Sequence, residues 1–258
     1  MELNNKNYHS AEAAREYLGH TQLKDFLSCE KKAMARLNGE YVQPEAKCLQ
    51  LGSYIHSWSE GRLEDYTEAH KDEILKKSGK KDKYEDYQRA DEAILCLQND
   101  PLAMRALEGQ KEVIMTGEID SVPWKIRVDA LGEKRFADLK YVRDFQPIYD
   151  PERREKVSFI EYWGYHIQMA VYQEIIRQNI GKTLEPLIVA VTKETPPDKA
   201  IFGGFEESEM AGVIEYVRLA QQRVNDVKFG VEQPIGCGKC DYCRAVKKLQ
   251  GVRKWNEI

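Results

Sequence analysis

The sequence predicts an α/β protein in which a central mixed β-sheet is flanked by helices, with an N-terminal helical part. Three observations predict it. Apolar residues recur at helical spacing through much of the first hundred residues, again from Phe159 to Ile175, and again after Ser208. Extended patterns fill the gaps, first from Glu112 to Val142 and then from Leu184 to Phe205. The resulting order of helices, strands, helix, strands and helix places a sheet between helical layers.

The chain divides into a polar arm over residues 1–20 and one domain over residues 21–258. Within that domain, residues 21–109 are helical, 110–206 form the core with the sheet, and 207–258 hold a helix and a cysteine cluster. A chain of 258 residues can bury one large core. Its 32% charged and 42% hydrophobic residues are ordinary for a globular protein. No apolar run nears the roughly 20 residues that span a bilayer. The opening MELNNKNYHS lacks a signal peptide's apolar core, so a cytoplasmic location without a membrane partner is expected. The net charge of −4 argues against coating nucleic acid by bulk charge, though not against a local basic groove. Three lysine- and arginine-rich clusters, Lys76–Lys83, Arg153–Lys156 and Lys247–Lys254, read as solvated surface before they read as DNA contacts.

Taken in order, a short helical turn is expected at Ser10 to Tyr17. A helix then runs from a Thr21 cap to Leu37, ended by Asn38-Gly39, with Leu23, Phe26, Leu27, Met34 and Leu37 on its apolar stripe and Cys29 near its middle. A second helix runs from Leu49 to about Asp65 and sets Gly52 and His56 one turn apart on one face. Residues 70–90, rich in lysine and glutamate around Ser78-Gly79, read as exposed and mobile. Helices follow at Asp86–Asn99 and after Pro101. A turn at Asp120-Ser121 leads into two strands within Trp124–Val142, joined at Gly132–Arg135. A polar loop occupies 145–156, a strong helix Ser158–Ile180 with Trp163 on its apolar surface, a buried strand Leu184–Thr192, and a returning strand Ala200–Phe205. A long amphipathic helix spans Ser208 to about Phe229.

The chemistry gathers on the strand pair. Side chains alternate along a strand, so Asp138 and Lys140 share one face while Ala137, Leu139 and Tyr141 share the other. On the preceding strand Lys125, Arg127 and Asp129 share a face. Pairing the strands brings Asp129 to Asp138 with Lys140 beside them. Two carboxylates at one point repel unless a cation sits between them. A hard divalent ion, Mg²⁺ or Mn²⁺, suits such oxygen ligands, and the carbonyl of Leu139 can add another. Such an ion polarises a phosphodiester while Lys140 positions or helps deprotonate the attacking water. A surface Asp–Lys pair is the bland alternative, and it would contribute well under about 1 kcal/mol. On the next helix Glu161, Tyr165, Gln168 and Tyr172 face one side. Such a face can orient a metal-bound water, or it can be a helix whose buried tyrosines need partners.

Cys237-Gly-Lys-Cys240-Asp-Tyr-Cys243 has the spacing of metal ligands. Three soft ligands call for a fourth, no histidine lies nearby, and Cys29 is the candidate. Cys48 and Cys96 read as core residues.

Together, Gly52-x-x-x-His56, Asp129, Asp138-x-Lys140 and Gln168-x-x-x-Tyr172 follow in order the motifs of PD-(D/E)xK nucleases of the RecB type, and the chain most resembles the RecE (exonuclease VIII) group. The resemblance covers residues 20 to 245. It implies a restriction-endonuclease-like core and a metal-dependent DNase that degrades linear duplex DNA from 5′ to 3′ in phage-type recombination or repair. It also implies DNA as substrate, a single-strand annealing protein as partner, and a homo-oligomeric ring. Carried over by position, His56, Asp129 and Asp138 would bind metal, Lys140 would be catalytic, and Gln168 and Tyr172 would complete the site. Glu112 stands where relatives place a first-strand acidic residue, with Glu118 as its rival. Val128 replaces the proline of the family's name. RecB-type nucleases of the AddB kind hold a [4Fe–4S] cluster with one cysteine before the core and three after it. Here the last three are more tightly spaced, so cluster, zinc and no metal all stay open. A DNA-binding recombination module with little or no nuclease activity and a metal-dependent endonuclease are the alternative functions.

Overall fold

The computed structural model describes residues 1–42, 47–77, 82–249, 251–252 and 254. The chain packs as two compact units, Pro44–Val217 and a smaller one joining Met1–Gln43 to Arg218–Ile258. Both ends of the chain therefore belong to one unit, and residues 1–20 carry a helix, α1 (Ala11–Glu16), capped by the Ser10 hydroxyl. The expected helix over Thr21–Leu37 is two, α2 (His20–Ser28) and α3 (Glu30–Leu37). Cys29 between them is extended, at φ −166° and ψ 104°, which ends one helix and starts the next. The break turns Leu27 outward, while Leu23 and Phe26 keep to the core.

In the larger unit α4 (Lys47–Ser59) stops before Gly61, whose φ of 74° suits a helix end. Then come α5 (Leu63–Ala69) and α6 (Lys71–Ile74), so the expected helix over 49–65 is divided. On either side of residues 78–81 the lysine-rich segment is more ordered than its charge implies. Ile74 is fully buried, Leu75 bridges to Lys83, and α7 (Glu85–Gln98) buries Tyr87 and Ala90. Ser78, Gly79, Lys80 and Lys81, with Arg253, lie outside the described residues. Asp100 caps α8 (Pro101–Ala106), with proline in the first turn where no N–H is missed.

Strands β1 (Gln110–Ile119) and β2 (Val122–Leu131) form a hairpin whose two turn residues, Asp120 and Ser121, both have positive φ (46° and 64°). Strand β3 (Arg135–Val142) pairs back on β2 only at Leu131↔Phe136 and Ala130↔Ala137. The polar loop expected over 145–156 is a small hairpin, β4 (Ile148–Asp150) with β5 (Glu155–Val157). The helix expected over 158–180 is also two, α9 (Phe159–Tyr162) and α10 (Tyr165–Ile180). Gly164 divides them at φ 70°, and Trp163, expected in the apolar face, is 45% exposed. Strands β6 (Glu185–Thr192) and β7 (Lys199–Phe202) complete a five-stranded sheet of order β1-β2-β3-β6-β7. It is mixed, as predicted: β3 and β6 run parallel and the other pairs antiparallel.

Helix α10 packs on β1, β2 and β6, whereas α4 packs on β3 and α7 on β6. Leu51, Tyr54 and Ile55 of α4, with Ile94 and Leu97 of α7, bury against Ala137 and Leu139 of β3 and Val189 and Val191 of β6. The alternate positions of β3, Asp138 and Lys140, turn to α10 (below), so the strand presents its polar atoms to one helix only. Helix α11 (Glu207–Lys228) leads to α12 (Asp241–Ala245). No described helix is long and apolar enough to cross a membrane.

Candidate active site

The β2–β3 ladder ends at Ala130↔Ala137, and the next residues in register are Asp129 and Asp138. The strands part there, and a side chain closes the gap. Asp129 Oδ2 accepts the Leu139 N–H at 2.8 Å, supplying the acceptor that the parted β2 backbone no longer offers. The same oxygen lies 3.4 Å from His56 Nδ1 on α4. Across the β1–β2 ladder the register passes from Lys111↔Ala130 to Val113↔Val128, which sets Glu112 opposite Asp129. Glu112 adopts φ 53°, a left-handed conformation that costs a non-glycine residue about 1–3 kcal/mol and is found mostly at functional sites. His56, Glu112 and Asp129 can each present a ligand atom within 4.8 Å of the others.

Asp138 is almost wholly buried. Its Oδ1 accepts the Gln168 amide N–H at 2.5 Å, and its Oδ2 lies 2.6 Å from Lys140 Nζ. Lys140 Nζ donates in turn to Gln168 Oε1 at 3.1 Å and stands 4.6 Å from the centre of the Tyr165 ring. Gln168 thus holds both members of the Asp138-x-Lys140 motif with the two ends of one amide. Burial pushes the Asp138 carboxyl up, a push that Lys140 opposes. Burial pulls the Lys140 ammonium down, but Asp138 and Asp129 outweigh it and hold the lysine above its usual value. Glu112 is pushed up to about 7, first by burial and then by the Asp129 charge, against the pull of Arg127.

The residues present fit a hard divalent cation. Glu112 Oε2 meets Arg127 Nε at 2.7 Å and Asp138 Oδ2 meets Lys140, yet neither buried oxygen is aligned in a hydrogen bond. Carboxylate oxygens left in that state, beside an imidazole, are the donor set that such an ion takes. Beside them opens a cleft of about 450 Å³ lined by His56, Asp129, Arg127, Arg62, Tyr66 and His70, among others. The Tyr66 and His70 rings stack there, 4.2 Å between centres.

His56, Glu112 and Asp129 form one group, and Asp138, expected to share their metal, pairs instead with Lys140 and Gln168 beside it; three further differences stand out. Of the two glutamates of β1, Glu112 lies with Asp129 and His56, whereas Glu118 is exposed and its backbone is bonded to Gln178. Leu139 contributes its N–H to Asp129. The tyrosine over Lys140 is Tyr165, while Tyr172, two turns later, packs its ring near Phe136 with 6.5 Å between centres. Sequence reasoning missed Arg127, although it shares a strand face with Asp129. It also missed Tyr66 and His70, which stand in or beside a charge-rich stretch and give no motif.

In the smaller unit the four cysteines meet. Cys29, Cys237, Cys240 and Cys243 can place their sulfurs within 4.8 Å of one another, so Cys29 is the fourth member as expected. Of the other two, Cys96 is half-buried and Cys48 is exposed in the first turn of α4, so neither is the fully buried residue expected.

Comparison with known proteins agrees with this fold. A family described as a PDDEXK-like domain of unknown function (DUF3799) matches residues 19–246. A crystal structure of a protein from Eubacterium rectale, provisionally assigned as an exonuclease, superposes with a TM-score of 0.91 at 33% identity. That alignment covers 98% of this chain and 97% of the other. No curated protein matches. The sheet, the Asp129–Asp138-x-Lys140 constellation and these matches place the chain in the PDDEXK-like family DUF3799, within the PD-(D/E)xK nuclease superfamily.

Proposed function

We propose that the chain is a Mg²⁺- or Mn²⁺-dependent exodeoxyribonuclease that digests linear duplex DNA, from 5′ to 3′, in phage-type recombination or repair. The observation that carries the reading is the meeting of His56, Glu112 and Asp129 beside a buried Asp138–Lys140–Gln168 cluster. The exonuclease element leans on the assignment of the Eubacterium rectale protein and on the motif resemblance.

A bound divalent ion would polarise the scissile phosphodiester and make its water ligand acidic. His56, Glu112, Asp129 and Asp138 would hold it, with the Leu139 carbonyl as a further oxygen. The Leu139 N–H fixes the Asp129 carboxylate before substrate arrives. Lys140, held protonated by its carboxylate neighbours, offers a cation to the charge that grows on the phosphoryl oxygens. Gln168 keeps that ammonium and Asp138 in register, and Tyr165 limits where the lysine can swing. Arg127, Arg62 and His70 in the cleft supply donors and charge for backbone phosphates. The annealing partner and the ring-shaped oligomer belong to this proposal through the sequence resemblance alone.

The test is digestion of end-labelled linear duplex with Mn²⁺, beside closed circular DNA. Loss of the 5′ label first, with intact circles, is expected, and Asp138→Asn and Lys140→Met should abolish it while remaining folded. Cutting of circles would replace the exonuclease with an endonuclease. DNA binding without turnover under any divalent ion would leave a binding module. Robust digestion by both variants would remove the site altogether.

A further inference from the structure

We propose that Cys29, Cys237, Cys240 and Cys243 form a mononuclear tetrathiolate zinc site that staples the N-terminal helices to the C-terminal segment, and that they do not seat a [4Fe–4S] cluster. The inference is independent of the nuclease reading, since every residue in it lies in the smaller unit.

The spacing between sulfurs separates the two cofactors. With Zn–S bonds of about 2.3 Å, a tetrahedral site sets its sulfurs about 3.8 Å apart. A cubane puts four irons between the thiolates and spreads the cysteine sulfurs to roughly 6 Å or more. Here Cys29 Sγ lies 3.5 Å from Cys243 Sγ and 3.7 Å from Cys240 Sγ, and all four can meet within 4.8 Å. A single ion fits that space and a cluster does not.

The backbone supports the same conclusion. The Cys240 and Cys243 N–H groups donate to Cys237 Sγ and Cys240 Sγ, each at 3.3 Å, and the Cys237 N–H donates to Cys29 Sγ at 3.4 Å. Such N–H···S bonds disperse the charge of four thiolates on one dication. Glycine also lets the chain run close to the site: a Cβ on Gly236 would come 3.1 Å from Cys243 Sγ and 3.0 Å from Lys31 Cδ. Outer contacts lock both sides of the site. Lys32 pairs with Asp241 at 2.6 Å, Tyr41 donates to the same carboxylate, and Glu30 accepts two bonds from Arg223, each at 2.9 Å, and the Ile235 N–H at 2.6 Å. Among the described residues, the cysteine that interrupts the N-terminal helices is thus the metal-ligating side chain of that segment that joins the later three. Its extended backbone is the geometry that frees its thiol from the helix surface.

The experiment is elemental and sulfide analysis of the full chain purified anaerobically from iron-replete cells without chelators. About one zinc per chain, no acid-labile sulfide and no visible absorbance are expected. Thiol modification should release the zinc, and Cys48→Ser and Cys96→Ser should keep the full stoichiometry, whereas Cys237→Ser should lose it. Several irons with labile sulfide would overturn the proposal, as would one iron in place of zinc, or metal-free protein with disulfides or free thiols.

Discussion

Asp129 Oδ2 accepts the Leu139 N–H at 2.8 Å at the point where β2 and β3 part. One carboxylate therefore completes the sheet's hydrogen bonding and also faces His56 and Glu112. The two roles separate by substitution. Asp129→Asn keeps a carbonyl oxygen for the Leu139 N–H and removes the charge, so folding stability without metal should change by less than about 1 kcal/mol while nuclease activity falls at least about 1,000-fold. Asp129→Ala should lose both, with a buried N–H left unpaired at a cost of about 1–3 kcal/mol. Denaturant unfolding in EDTA, beside the digestion assay, checks the pair; equal stability of the two variants would refute the structural role.

The Asp138–Lys140 pair is sequestered by α10 and predicts strong coupling. Removing one charge strands the other in the interior, which costs about 3–5 kcal/mol where a buried pair is broken. Lys140→Met should approach that loss, and adding Asp138→Asn should recover most of it although both proteins are inactive. A double-mutant cycle by chemical denaturation measures the coupling, and additive effects would show that the ammonium is solvated rather than held by Asp138 and Gln168.

How far the site was legible depends on which physical rule placed each residue. Asp138, Lys140 and the opposite-facing Leu139 followed from strand alternation, because the pleat leaves no other choice. Gln168 followed from helical spacing. That Asp129 and Asp138 stand opposite in register was readable, but not the parting of the strands that lets Asp129 bond Leu139, since ladder ends depend on packing around them. The interruptions at Cys29 and Gly164 were overlooked because apolar periodicity runs through both. Glycine at 164 was the local warning. The segment around Ile74 hid its burial behind lysines and glutamates. Tyr66 and His70 reach the cleft only through the turns that follow α4, which no short motif encodes.

Glu112 predicts a pH dependence for metal binding. Its folded value of about 7 lies above the ordinary carboxylate range, first through burial. Between the two values the folded chain binds the extra proton, so this group favours the metal-free fold at low pH and opposes it as pH rises through about 7. A cation must displace that proton, and its affinity should therefore fall about tenfold for each pH unit below 7 from this group alone. Calorimetric titration with Mn²⁺ between pH 6 and 8 should show the slope, and Glu112→Gln should bind more weakly at pH 8 but lose this part of the dependence. An unchanged slope in the variant would move the linkage to another group.

Gly164 connects the fold to the chemistry four residues away. Its φ of 70° ends α9 and opens α10, and the helix that follows carries Tyr165 and Gln168 to Lys140. A side chain at that dihedral costs about 1–2 kcal/mol, with asparagine tolerating it better than alanine. Gly164→Ala should lower stability by that amount, and any shift at the start of α10 moves the amide that bridges Asp138 and Lys140. Misplacement of about 1 Å can reduce turnover roughly 100-fold. The expected signature is a fall in kcat with KM nearly unchanged, because the cleft residues proposed to meet the DNA backbone lie on other elements. Gly164→Asn should recover much of both losses. If alanine is as stable and as active as glycine, the left-handed turn is not what aims Gln168, and the α9–α10 break would be a consequence of packing alone.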